Sequence, residues 1–159
     1  MPNVDVLEIL LQSKVFKGLS GEHLKKFTGR GEIVTFEKNE TIIREDQAGH
    51  PFFIVIKGQV EVVLPEAASG QDHERVTRIK LNRLEQGDCI GEYSLIDEQP
   101  ASATVIALEP CILFEISRSH FKEIMNISDF IAKTVYKNIL VITIERARDG
   151  NRQLDICFY

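Results

Sequence analysis

The chain has 159 residues, and its 24 acidic and 19 basic side chains give a formal net charge of −5. This length suits one domain that buries roughly two-thirds of the surface of its unfolded chain. The acidic balance argues against nonspecific nucleic-acid binding through a basic face. No apolar run approaches the ~18 residues that cross a bilayer, so we expect neither a nucleic-acid partner nor a membrane segment.

Two short helices are predicted before residue 30. The first covers residues 4–12 and places its apolar side chains on one face: Val4, Leu7, Leu10 and Leu11. The second begins at Ser20, whose side chain can cap it, with His23 at the third helical position. In that helix we expect Leu24 and Phe27 to point inward.

The middle of the chain has the alternating pattern of strands rather than the period of a helix. The predicted strands are residues 32–37, 39–44, 52–56, 59–64, 76–84, 104–108 and 111–116. Residues 65–73 are small and polar, which predicts an exposed loop. Short strands at this spacing indicate an antiparallel barrel or sandwich.

Two helices are predicted at the carboxyl end. The first covers residues 117–125, with Phe121 and Ile124 inward. The second covers residues 128–148, where Ser128 can cap the start and Arg146 and Arg148 suit the negative end before Gly150. Residues 151–159 then form a tail.

The long helix carries two apolar stripes, which is more than packing on one barrel requires. The first stripe consists of Ile131, Val135, Ile139 and Ile142. The second consists of Tyr136, Leu140 and Ile144. Either the helix folds back on its own barrel or one stripe contacts another chain.

The segment 87–105, called the cassette below, has the residues of a ligand-binding turn. Gly91 lets a backbone approach closely because it has no Cβ, and Glu92 begins a predicted helical turn over residues 92–97. A carboxylate repels phosphate and can only accept hydrogen bonds, so its plausible partner is a sugar hydroxyl. After Pro100, the side chains of Ala101, Ser102 and Ala103 are small enough for a ligand to lie against the backbone.

The cassette resembles the phosphate-binding segment of cyclic nucleotide-binding domains, the family of catabolite activator protein-like sensor domains. Two further stretches are similar to that family: residues 46–62, a charged loop before an apolar strand, and Leu84 to Glu92, with Gly87-Asp88 and Gly91-Glu92 in register. The resemblance covers residues 16–148. It implies a mainly β fold, an antiparallel double-stranded β-helix or jelly-roll barrel, within one domain of residues 1–150. Helices at residues 4–28 and 117–148 would flank a barrel at residues 31–116.

The resemblance also implies the site residues, which are Gly91, Glu92, Tyr93, Ser94, Ala101, Ser102 and Ala103. Glu92 would hold the ribose hydroxyl, and Gly91, Ser102 and Ala103 would hold the phosphate. Ala101 stands where the family usually has an arginine, so the bidentate, charge-assisted contact is missing. Hydrogen bonds to charged groups contribute about 1.5–3 kcal/mol each, so cAMP or cGMP would bind weakly unless Arg44 or Arg75 substitutes.

Two functions are consistent with these residues. In the first, the chain is a stand-alone regulatory sensor in which a bound cyclic nucleotide repositions the long helix to signal to an unidentified partner. In bacterial members of the family this helix pairs with its twin, which implies a homodimer through Ile131, Val135, Ile139 and Ile142. In the alternative, the pocket is degenerate and the domain is a dimeric protein-interaction scaffold. Too few residues follow the long helix for a helix-turn-helix domain.

Catalytic and metal-binding motifs are absent from the sequence. The four histidines are dispersed, without the spacing of metal ligands, and we expect most of them at the surface. Cys89, Cys111 and Cys157 show no paired spacing, and Cys89 is expected to be a small core residue. The amino terminus lacks the features of a signal peptide. We therefore expect a reduced, cytoplasmic protein that is not an enzyme and needs no cofactor.

Overall fold

Two four-stranded antiparallel sheets form the centre of the computed structural model, which describes residues 5–65 and 77–157, with side chains up to residue 152. One sheet has the strand order β1-β8-β3-β6 and the other has β2-β7-β4-β5. The strands are β1 Glu32–Phe36, β2 Thr41–Ile43, β3 Phe52–Lys57, β4 Val60–Leu64, β5 Ile79–Leu84, β6 Cys89–Ile90, β7 Thr104–Ala107 and β8 Cys111–Ile116. This arrangement confirms the predicted jelly-roll architecture. Most of the predicted loop at residues 65–73 lies outside the described residues.

Strand β3 explains why its sequence is apolar at successive positions instead of alternating. Phe53 and Val55 face the core between the two sheets. Phe52, Ile54 and Ile56 face the opposite way, toward a second core beneath the helices. A strand that is covered on both faces has to be apolar throughout. Its pairing with β8 and β6 places the cassette beside this core.

The amino-terminal helices α1 (Val6–Gln12) and α2 (Gly21–Thr28) pack beneath the first sheet. Ser20 and His23 form a reciprocal capping box, and Leu24 and Phe27 are buried, as predicted. In α1, however, Leu11 is exposed and Ile9 is buried beside Leu10. The prediction was therefore wrong for Leu11. The helix α1 is short, and the two residues that it buries, Ile9 and Leu10, are consecutive. Val4 lies outside the described residues.

The carboxyl-terminal helices are α4 (Arg118–Ile127), capped by Ser117, and α5 (Asp129–Cys157). Phe121 and Ile124 are buried in α4, as predicted. The predicted end of the long helix before Gly150 is wrong, because α5 continues through that residue. Gly150 has no positive φ and no neighbour on its open side, and one glycine inside a helix costs only about 1 kcal/mol. Within the described residues, no helix is long and apolar enough to cross a membrane.

The apolar stripe that was assigned to a dimer contact packs on the chain's own domain. Its residues are almost fully buried in the core beneath the first sheet: Ile131, Val135, Ile139 and Ile142. Between two of them, Nδ2 of Asn138 donates to the carbonyl oxygens of Val15 and Lys17, at 3.0 and 2.8 Å. The assignment of these four residues is therefore corrected to intrachain packing. The second stripe, Tyr136, Leu140 and Ile144, is the exposed one, and dimerisation itself stays a prediction.

Candidate ligand-binding site

One cavity of about 120 Å³ brings together both ends of the cassette. All seven residues that the sequence assigned to ligand binding line it: Gly91, Glu92, Tyr93, Ser94, Ala101, Ser102 and Ala103. Apolar side chains of the second sheet form part of its wall, including Ile43, Val62, Leu84 and Val105. Sequence reasoning missed three polar residues of this wall, His50, Asn82 and Arg146.

Gly91 is required by the packing of the chain itself. Its φ is +84°, in the left-handed region that favours glycine. A Cβ there would lie 2.9 Å from Cε1 of His50 and 2.9 Å from the carbonyl oxygen of Pro51. The close approach that the sequence indicated is therefore real, but the neighbours in this structure are His50 and Pro51.

His50 is buried and joins the loop before β3 to the short helix α3 (Tyr93–Asp97). Its Nδ1 lies 2.9 Å from the carbonyl oxygen of Pro51, which can only accept, so Nδ1 carries the proton in that bond. Its Nε2 lies 2.8 Å from Oγ of Ser94, and the guanidinium of Arg118 donates to the carbonyl oxygen of Ser94. The expectation of a surface histidine is wrong here. His50 holds one wall of the cavity in place.

Glu92 lies at the inner end of the cavity and is only 3% exposed. It precedes α3, yet its side chain does not cap that helix. Instead, Nη1 of Arg146 from α5 donates to Oε1 of Glu92. Nη2 of the same guanidinium donates to the carbonyl oxygen of Cys89 at 3.0 Å. The two charges form a buried pair that connects the cassette to the long helix.

Burial and pairing act against each other on these two groups. Burial raises the pKa of the Glu92 carboxyl above its usual value, and the Arg146 guanidinium opposes that rise. Burial is the largest single effect on Arg146 and acts to lower its pKa, but the Glu92 carboxylate, together with smaller effects of other acidic neighbours, holds that pKa above its usual value. A charge in such a site is tolerated only when a partner compensates for its lost hydration. Each group therefore depends on the other.

The sequence contains a pattern that indicates the inward position of Arg146. It continues the buried stripe of α5, because Ile139, Ile142 and Arg146 follow one another at the spacing of one helical face. The sequence analysis instead assigned Arg146 to the carboxyl end of the helix. A basic residue in line with a buried stripe indicates an internal acidic partner, and here that partner is Glu92.

Cys89 lies next to this pair and is buried, as predicted. Burial strongly raises the pKa of its thiol, and the carboxylate of Glu92 adds to that rise. Because the thiolate is the reactive form of cysteine, the thiol is inert at neutral pH. Cys89 therefore contributes a small apolar side chain to the cavity wall and no chemistry.

The other end of the cassette carries backbone groups and one hydroxyl. The amide of Ala101 donates to the carbonyl of Gln47 at 3.0 Å, and the amide of Asp46 donates to the carbonyl of Ala101 at 2.8 Å. Within the described residues, the amides of Ser102 and Ala103 donate to no backbone carbonyl outside the regular strands and helices. The Ser102 side chain is exposed.

The sequence analysis proposed two arginines as replacements for the missing one, and the structure describes one of them, Arg44. Arg44 is not among the residues that line the cavity. Arg75 lies outside the described residues. Within the described part of the chain, Arg146 is the one lysine or arginine in the cavity wall.

The chain also resembles known proteins in sequence. Residues 33–128 match the family model of the cyclic nucleotide-binding domain. The chain is 31% identical over 104 residues to a cAMP-dependent protein kinase regulatory subunit of Colletotrichum orbiculare, covering 65% of this chain and 27% of that protein. It is 30% identical over 135 residues to cGMP-dependent protein kinase 2 of Mus musculus, covering 83% of this chain and 16% of that protein. The chain thus spans less than a third of the length of these relatives.

Solved structures share the fold at lower identity. The catabolite activator protein of Thermus thermophilus superposes with a TM-score of 0.70 and 23% identity, over 91% of this chain and 63% of that one. A cyclic nucleotide-binding domain from Methylobacillus flagellatus superposes with a TM-score of 0.76 and 20% identity, over 93% of this chain and 79% of that one. The regulatory subunit of a cAMP-independent protein kinase A from Trypanosoma brucei superposes with a TM-score of 0.73 and 19% identity, over 96% of this chain and 50% of that one. Family model, relatives and fold agree, and the chain belongs to the cyclic nucleotide-binding domain family.

Proposed function

We propose that the cavity binds a cyclic nucleotide and that the bound ligand repositions α5, so that the domain acts as a regulatory sensor. The observation that carries this proposal is the composition of the cavity wall. It joins a buried carboxylate, Glu92, to the small residues Ser102 and Ala103 and to a residue of the long helix, Arg146. The names of the kinase relatives, which refer to cAMP and cGMP, agree with this ligand class.

Glu92 is suited to the sugar of such a ligand. An ionised carboxylate accepts hydrogen bonds at two oxygens, each with more than one lone pair. Arg146 takes Oε1, so Oε2 can accept from a ribose hydroxyl. In a site this buried, a hydroxyl donor would replace hydration that the carboxylate has already lost.

Ser102 and Ala103 are suited to the phosphate. Their short side chains leave the backbone open to the cavity, and the amides described above can donate to an anionic oxygen. The Ser102 hydroxyl adds a further donor. The base would then lie toward the apolar wall formed by residues such as Val62 and Leu84.

The link to α5 supplies the regulatory part of the proposal. Arg146 belongs both to the cavity wall and to the helix, so a ligand that changes the contacts of Arg146 changes the free energy of the docked helix. A ligand shifts a conformational equilibrium only through such differential contacts.

Calorimetric titration with cAMP and cGMP tests the site. We expect heat of binding from the unmodified protein, a loss of at least about tenfold in affinity for Glu92→Gln, because a bond to a charged acceptor is lost, and no change for Glu98→Gln. Glu98 is the matched control because it lies just after α3 and is exposed. No binding of either nucleotide by the unmodified protein would overturn the proposal.

The exposed stripe of α5 favours a second candidate function, a homodimeric interaction scaffold. Tyr136, Leu140 and Ile144 are exposed at intervals of one helical turn, a spacing that lets two copies of the helix pair about a twofold axis. An apolar groove beside this stripe, lined in part by Leu95 and Ile96 of α3, offers further contact area.

The mass in solution tests the scaffold. Light scattering on a sizing column is expected to give the mass of two chains for the unmodified protein and of one chain for Leu140→Glu. Lys38→Glu, an exposed change in the turn between β1 and β2 and away from α5, serves as the control and should leave the dimer intact. A monomer at every concentration would refute the second candidate.

A further inference from the structure

We propose that Arg146 binds the anionic group of the ligand, so that the long helix supplies the cation that the cassette lacks at Ala101. This inference rests on the function proposed above, and it assigns a binding role to a residue outside the cassette. It also makes the position of α5 depend on the charge of the ligand.

Two opposite charges line the cavity within the described residues. Glu92 is a buried carboxylate in the wall, and Arg146 is the one lysine or arginine that lines the cavity within the described residues. An anion that enters beside an unopposed carboxylate is repelled, and the repulsion is strong where water is scarce. A ligand with a phosphate therefore needs the Arg146 guanidinium in order to enter this cavity.

The Arg146 guanidinium can donate further hydrogen bonds. Arginine presents a planar fork with more N–H donors than the contacts to Glu92 and Cys89 use. Its side chain is 18% exposed, against 4% for that of Glu92. The Arg146 side chain is thus the more exposed of the two, and its remaining N–H groups can donate to a ligand.

Contacts along α5 hold Arg146 in position. Ile142, one turn earlier in α5, is buried in the core, and Nζ of Lys14 pairs with Oε2 of Glu145 at 2.9 Å. Asn138 bonds two carbonyls of the segment before α2. The docked helix therefore directs Arg146 into the cavity, which distinguishes it from a mobile surface arginine.

The ligand's charge provides the test. A cyclic nucleotide and the corresponding nucleoside share the base, but the nucleoside has no phosphate. If Arg146 contacts the anionic group, Arg146→Gln weakens binding of cAMP and cGMP by roughly 10- to 100-fold. The same substitution weakens binding of adenosine and guanosine by a clearly smaller factor, because a nucleoside has no anionic group for Arg146 and is affected only through Glu92.

The experiment combines calorimetry for the nucleotides with NMR titration for the nucleosides. Arg148→Gln is the matched control, because Arg148 is an exposed arginine on the same helix. Ala101→Arg in the Arg146→Gln background should restore nucleotide affinity. Should Arg146→Gln fail to fold because Glu92 loses its partner, the comparison is made between Glu92→Gln and the double variant Glu92→Gln, Arg146→Gln.

Each other outcome overturns the proposal in a different way. Equal losses for nucleotide and nucleoside would reduce Arg146 to a positioning residue for Glu92. Tighter binding of both ligands by Arg146→Gln would show that the arginine blocks the sugar site. If the unmodified protein binds nucleotides and Arg146→Gln binds them equally well, the assignment fails while the proposed function stands. If the unmodified protein binds none of these ligands, the proposed function fails as well.

Discussion

The two ends of the cassette differ in how their polar groups are completed. At residues 91–94 the two buried polar side chains have partners from other parts of the chain: Glu92 pairs with Arg146, and Ser94 bonds His50. At residues 101–103 the polar groups are one exposed hydroxyl and backbone amides, and no cationic side chain belongs to the segment. The first end is held by these contacts, whereas at the second, within the described residues, the amides of Ser102 and Ala103 donate to no backbone carbonyl outside the regular strands and helices. This difference supports the proposal that Glu92 takes the sugar of the ligand and that binding of the phosphate depends on the long helix.

The largest effect is expected from removing the cation of the buried pair. Arg146→Gln leaves the Glu92 carboxylate buried without compensation, so the free energy of unfolding should fall by about 3 kcal/mol at pH 7. Glu92→Gln should cost less, about 1–2 kcal/mol, because the Arg146 side chain is the more exposed partner. Urea denaturation of both single variants and the double variant measures these differences, and additive costs would show that the two residues are not coupled.

The free energy of unfolding of Arg146→Gln should also depend on pH. Burial already raises the pKa of Glu92, and loss of the opposing guanidinium raises it further. A carboxyl whose pKa is higher in the folded state binds more protons when folded, so stability falls as pH rises. Arg146→Gln should therefore lose stability more steeply than the unmodified protein does as pH rises above the ordinary pKa of a glutamate carboxyl. Parallel pH profiles of urea denaturation would contradict this account of the pair.

The next effect concerns the glycine that allows the first end to pack. Gly91→Ala should lower the free energy of unfolding by about 2 kcal/mol, because it combines a positive φ with a Cβ close to backbone of Pro51. Gly150→Ala is the matched control, since Gly150 lies in α5 with open space around it. That control should gain about 0.5–1 kcal/mol. If both substitutions have the same sign in urea denaturation, the packing argument fails.

A smaller effect tests the bond between His50 and Ser94. Ser94→Ala leaves Nε2 of the buried His50 without its partner, which should cost about 1–2 kcal/mol. Ser102→Ala, at the other end of the cassette, should change the free energy of unfolding by less than about 0.5 kcal/mol, because its side chain is exposed. Thermal denaturation of the pair measures the contrast. Equal costs would mean that the two ends do not differ in how their polar groups are held.

Sequence patterns predicted the architecture and the cassette's part of the cavity wall, because both depend on local features. The alternation of strands, the capping of α2 by Ser20, and Gly91 beside Glu92 can each be recognised within a few residues. What could not be predicted are contacts between residues distant in sequence. Arg146 and Glu92 are 54 residues apart, and His50 and Ser94 are 44 apart. The inward face of α5 was misassigned for the same reason, because periodicity reveals two stripes but not which one the domain covers.

The smallest expected effect gives the sharpest comparison of the two ends. Ala101→Arg adds the cation that the cassette lacks, and in an otherwise unmodified protein it should improve cAMP or cGMP affinity by less than about threefold. The gain is small because Arg146 already supplies a charge-assisted bond, and a second cation in the same small cavity repels the first. In the Arg146→Gln background the same substitution should improve affinity at least about tenfold. Equal gains in both backgrounds would show that the two arginines act independently, and the phosphate end would then lack a cation in the unmodified protein.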